Sequence, residues 1–128
     1  MISGNLYNYI NVLDKAADAS WTRLEVINNN LANVSTPNYK RKDVEFESYL
    51  SRELNGSGNL DRRVSNVNLN GLNSTIYTDN ANLSYRQDGN NVDVDVETSY
   101  QAEAQIKYNA LLDSITSEFS RIRVVLGK

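Results

Sequence analysis

The amino-acid sequence predicts a mainly α fold: long N- and C-terminal helices that pair as a coiled coil, with an extended segment and a loop-rich or weak-β middle. Three observations predict it. An amphipathic pattern at helical spacing occupies each end of the 128-residue chain. The single proline, Pro37, closes the first pattern. Between the patterns the composition turns to Asn, Ser and Gly. The chain divides accordingly into an N-terminal helix (1–34), an extended segment (35–50), a flexible or weak-β middle (51–91) and a C-terminal helix (92–128).

Residues 3 to about 33 read as the first helix. Its apolar stripe is Leu6, Ile10, Leu13, Ala17, Trp21, Leu24, Ile27 and Leu31. Ser3 is placed to cap it. Asn28, Asn29 and Asn30 have mediocre helix propensity, so the last turn is weak without a partner. Pro37 disfavours helical geometry at Thr36. Pro37 and Asn38 suit the centre of a tight turn, because Asn tolerates positive φ. Val44, Phe46, Tyr49 and Leu50 read as an extended segment that packs on something.

Residues 51–91 carry turn signals at Asn55-Gly56-Ser57-Gly58-Asn59 and at Asn70-Gly71. Val64, Val67, Leu69, Leu72, Ile76 and Tyr77 suggest short strands without clean alternation. The last helix spans 95–127. Asp93 and Asp95 can cap it, Glu97 suits its first turn, and Gly127 suits its end. Its stripe is Ala104, Tyr108, Leu111, Ile115, Phe119, Ile122 and Leu126, an eleven-residue spacing that predicts a nearly straight helix. Glu103 and Lys107 form an i,i+4 pair.

No motif argues for catalysis. Cysteine and histidine are both absent, which excludes disulfides, thiol nucleophiles, Cys/His zinc sites and histidine bases. The net charge of -3 gives no case for nucleic acid. Asn66 to Gly71 resembles the start of a calcium loop, but Tyr77 stands where the bidentate Glu belongs. Asp88, Asp93, Asp95 and Glu97 could hold a metal. The simpler reading is a solvated strand edge, with Val92, Val94 and Val96 alternating, that leads into a capped helix. Lys40-Arg41-Lys42 reads as a solvated turn, and Trp21 as a packing residue. Sequons at Asn33, Asn73 and Asn82 are expected by chance in so Asn-rich a chain. No small-molecule substrate or cofactor is implied. Met1-Ile2-Ser3-Gly4-Asn5 has neither a basic nor an apolar leader region, and no apolar run approaches the ~20 residues of a membrane span.

The stretch Asn29-Asn30-Leu31-Ala32-Asn33-Val34-Ser35-Thr36-Pro37-Asn38-Tyr39-Lys40 resembles the N-terminal signature of bacterial flagellar axial proteins, with Asn38 at the usual Gly. Asp88 to Glu97, followed by Tyr108-Asn109-Ala110-Leu111-Leu112, is similar to the proximal-rod members of that family. The resemblance implies a structural rod subunit that transmits torque and is exported unfolded by the flagellar type III apparatus, without a cleaved signal peptide. Its partners would be itself, rod subunits of the FlgC and FlgF type, the FliE adaptor, and the export gate and MS ring. The expected subunit interface is Leu6, Ile10, Leu13, Trp21, Leu24, Asn29, Asn30, Leu31, Asn33, Thr36, Pro37, Tyr39, Val44, Phe46, Tyr108, Leu111, Ile115, Phe119 and Ile122. The alternative is a soluble helical adaptor or chaperone of a type III export system.

Overall fold

The computed structural model describes residues 2–81 and 86–127, with side chains described from residue 7 onward. The elements are α1 (Ile2–Ala32), β1 (Lys42–Glu45), α2 (Glu47–Leu54), α3 (Leu60–Ser65), β2 (Thr75–Thr78) and α4 (Val94–Val125). The two long helices pack against each other, as expected. They run antiparallel: Asn28 meets Gln101, Arg23 meets Glu103 and Trp21 meets Tyr108.

Each helix offers a seam at heptad spacing. In α1 it runs Ile10, Leu13, Ala17, Ser20, Leu24, Ile27, Leu31; in α4 it runs Glu97, Gln101, Ala104, Tyr108, Leu111, Ile115, Glu118, Ile122. The steps alternate between three and four, so the eleven-residue spacing expected for the last helix is corrected to seven. Each expected stripe also misses by one place. Ser20 lies inward and Trp21 is 50% exposed; Glu118 lies inward and Phe119 is 51% exposed. The reason is phase. The remaining seam residues set the rotation of each helix, and a neighbour one place on is turned by about 100°.

α1 is buried on a second face. Ala19, flanked by Val12 and Ala16, packs with Phe46 and Leu72, and Leu50, Val67 and Leu69 close that cluster. The seam cluster holds Leu24, Ile27 and Ala104, with Leu31, Tyr100 and Tyr108 around it. β1 pairs antiparallel with β2, setting Val44 opposite Ile76. The extended segment is shorter than expected. Phe46 drops into the core, and α2 takes Tyr49 and Leu50 into a helix with Glu47 in its first turn and Arg52 in its last.

The Asn-rich middle contains short helices, and asparagines that looked like linkers are caps. Asn59 Oδ1 accepts from Arg62 N at 3.0 Å, and Asn68 Oδ1 accepts from Asn70 N at 3.1 Å. Ser3 lies inside α1 instead of capping it. Asp93 caps α4 by accepting from Asp95 N at 2.9 Å and Val96 N at 3.3 Å, so Val94 and Val96 are helical and no strand edge forms there. Glu103 and Lys107 turn to other partners, Arg23 and Glu47. Gly127 follows α4 at φ +71°, the left-handed stop. The Asn82 sequon and the Leu6 side chain lie outside the described residues.

Candidate assembly site

The signature segment is an accounting of backbone groups. α1 ends with free carbonyls that need donors. The following backbone meets several of them, Asn33 N donating to Asn29 O and Asn30 O at 3.1 Å and Val34 N to Leu31 O at 3.3 Å. The fully buried Asn90 serves the loop beyond: its Nδ2 donates to Asn33 O at 2.8 Å, Val34 O at 3.0 Å and Thr36 O at 2.9 Å. Arg86 Nη1 donates to Val34 O at 2.9 Å. Tyr39 N closes a turn on Thr36 O at 3.3 Å, with Pro37 second and Asn38 third at φ +61°, the pattern of a type II turn. Asn38 N then donates to Asp88 O at 2.7 Å. The fit is tight: a Cβ on Gly89 (φ +76°) would lie 2.6 Å from Asn38 Oδ1.

Beneath this loop lies a polar node. The Asn30 side chain pairs with both backbone groups of Lys42, donating to its O at 2.7 Å and accepting from its N at 2.9 Å. Tyr39 Oη donates to Asn30 Oδ1 at 3.1 Å, and Asn30 Nδ2 also donates to Glu97 Oε2 at 3.2 Å. Arg41 is buried and meets three carboxylates: Glu97, Asp43 at 3.1 Å and Asp79 at 2.6 Å. Arg23 adds a second guanidinium on Asp43 at 2.9 Å. The Tyr100 ring faces both, 5.1 Å from Arg23 and 5.3 Å from Arg41. Burial works against the Arg41 charge, but the carboxylates outweigh it and hold its pKa above the ordinary arginine value. Burial works against the Asp43 carboxylate too, yet Arg23, the Val44 N–H and Arg41 bring its pKa below the ordinary value. Burial raises the Tyr39 phenol. The expected solvated turn at Lys40–Lys42 is therefore corrected at Arg41. The acidic cluster also disperses: Asp93 caps, Asp88 pairs with Arg86 and Glu97 enters the node.

The expected interface residues separate by burial. Leu24, Asn30 and Phe46 are buried within the chain. Ile10, Leu13, Leu31, Asn33, Tyr39, Val44, Tyr108, Leu111, Ile115 and Ile122 are half-buried. Trp21, Asn29, Thr36, Pro37 and Phe119 are exposed. Sequence reasoning missed Arg41, Asp43, Asn90 and Tyr100 as partners. Only the repeated Asn before the second helix hinted at a cap; the rest needed the fold.

The two flanks of the helix pair differ. On one, β1 and α2 close a groove of about 760 Å³ with Ala16, Ala19, Arg23, Glu103 and Leu111. On the other, Trp21, Glu25 and Asn28 meet Thr98, Gln101 and Gln105, and among the described residues no part of the middle lines that flank. Gln105, Leu112, Phe119 and Leu126 follow at seven-residue steps along this bare flank, the last three 40%, 51% and 66% exposed. Among the described residues no helix is long and apolar enough to cross a membrane.

Comparison with known proteins points one way. The model of a family described as flagella basal body rod protein matches residues 10–40. The FlgB basal body rod protein of Bacillus subtilis is 35% identical, over 98% of this chain and 95% of its own length. That of Borrelia hermsii is 32% identical over 91% of this chain and 94% of its length. The flagellar hook protein FlgE of Treponema pallidum is 34% identical over 61% of this chain, but only 18% of its own length.

Proposed function

The chain belongs to the FlgB family of flagellar basal body rod proteins, and from that premise we propose that the bare flank of its helix pair carries the contact between subunits. The chain is a structural subunit of the flagellar rod, the shaft that carries torque. The observation that supports the placement is the unmatched width of α4: its apolar side continues past the seam into Leu112 and Phe119, while β1 and α2 cover only the opposite flank. A heptad row left open on a helix pair suits a further helix, here from a neighbouring subunit. Trp21, Leu112 and Phe119 supply apolar contact, with Ile115 and Ile122 turned to the seam behind them; Asn29, Thr36, Pro37 and the turn to Tyr39 reach the next subunit. Leu24, Asn30 and Phe46 serve by holding the subunit that presents this surface.

A shaft needs many shallow contacts between stiff parts, and paired helices ~45 Å long provide both. The role is mechanical and uses no catalytic group or cofactor. Partners on this reading are further copies, FlgC- and FlgF-type rod subunits, the FliE adaptor and the export gate and MS ring, reached by type III export without a cleaved signal peptide. The test is Phe119→Asp combined with Leu112→Asp. Helical content should match wild type because both side chains are exposed, while rods disappear from electron micrographs of basal bodies and swimming stops. Normal rods and swimming would reject this surface.

A further inference from the structure

We infer that Glu97, gripped by Arg41 and Asn30, is the register lock of the helix pair. The apolar seam does not select a register by itself. Both seams repeat every seven residues, so sliding one helix by a heptad, about 10 Å, again turns the seams toward each other and sets most of their apolar side chains in contact, Glu118 being the exception. Glu97 breaks that degeneracy. It is fully buried, and its two oxygens are taken by Arg41 Nε and Asn30 Nδ2.

Its receptor is built without α4. Asn30 is clamped to the Lys42 backbone on both sides, and Arg41 is held by Asp43 and Asp79. Tyr100, one turn further along α4, is read by the Arg23 and Arg41 guanidinia. In a heptad slip Ala104 would face Arg41, and the Glu97 carboxylate would lose both donors. A buried polar contact that every competing register leaves unpaired specifies alignment, as a single buried Asn does in coiled coils. Glu97 and Arg41 are positioning residues: they set which exposed side chains line up along the bare flank. The lock belongs to one chain and does not depend on the subunit contact proposed above.

The chain has no cysteine, so spin labels can be placed uniquely at the exposed positions Asn11→Cys and Ser99→Cys. These lie far apart along the pair, so a heptad slip changes their distance by nearly its full length. Double electron–electron resonance is recorded in trimethylamine N-oxide, which favours the compact chain. Circular dichroism is recorded alongside. The otherwise native chain should give one narrow distance. Arg41→Met with Glu97→Leu removes both charges together. It should keep helical content but add a second distance population shifted by about 10 Å. A helical double variant with the single native distance would overturn the lock, showing that the seam or the Asn90 grip sets the register. Loss of helix in the double variant would also overturn it, because the contact would then be needed for folding and not for choosing an alignment. Rod formation is scored separately, so failure of the assembly surface is not mistaken for failure of the lock.

Discussion

The closed end of the helix hairpin and its terminal end are built differently. At the closed end, Ala17 to Asn30 of α1 and Glu97 to Ala104 of α4 contain the fully buried residues of the pair, including a charged one. Toward the termini, the described side chains before Ala17 and after Ala104 are half-buried or exposed without exception. The difference teaches where the free energy of the single chain lies. Buried apolar area stabilises by roughly 25 cal/mol per Å², and it is concentrated beside the polar node. The terminal half leaves Phe119, Val124, Val125 and Leu126 in solvent. A subunit that is ordered at one end and underfilled at the other suits a protein completed by its neighbours.

The strongest way to break the contrast is to remove Arg41 alone. Arg41→Ala leaves Glu97, Asp43 and Asp79 without their shared cation and should destabilise the chain by about 3–5 kcal/mol, read by urea denaturation. Next comes a matched pair of truncations. Ile27→Ala, at a fully buried site, should cost about 2–4 kcal/mol, whereas Ile122→Ala in the terminal half should cost less than ~1 kcal/mol. Equal costs would erase the distinction between the ends.

Gly89→Ala sets a methyl against Asn38 Oδ1 at a positive φ, and should cost about 1–2 kcal/mol. Asn38→Gly in the same chain relieves the clash but not the backbone strain. A double-mutant cycle should therefore show a coupling of about 0.5–1 kcal/mol, and zero coupling would contradict the close approach.

Acid sharpens the comparison more gently. The Asp43 pKa is depressed in the folded chain, so its contribution is present above the ordinary carboxylate value of 3.8 and is lost as pH falls through the lower folded value. Protection factors for amide exchange at the closed end should therefore fall below about pH 4, and Asp43→Asn should flatten that dependence. The smallest expected effect is on stability in Phe119→Asp, within about 0.5 kcal/mol, because the ring is half in water.

Much of this architecture could be read along the chain. Periodicity located both long helices, Pro37 and Asn38 located the turn, and the signature segment pointed to the family. The misses share a cause. Trp21 and Phe119 were placed in the stripes because hydrophobicity argues for burial, yet phase put Ser20 and Glu118 there instead. Arg41 looked solvated because its immediate neighbours are lysines. Its partners Asp79 and Glu97 lie 38 and 56 residues away, and local composition carries no such information.

By itself, then, the sequence determined that two amphipathic helices end the chain, that a tight turn follows the first, and that no catalytic chemistry based on cysteine or histidine is available. These follow from spacing, backbone restriction and residue type, all local properties. Only the tertiary structure decided which side of each helix is covered, which asparagines are caps, and that Glu97 is buried against Arg41 and Asn30. Those outcomes depend on contacts between residues distant in the chain, where the burial of a charge is tolerated only because its counter-charges arrive at the same point.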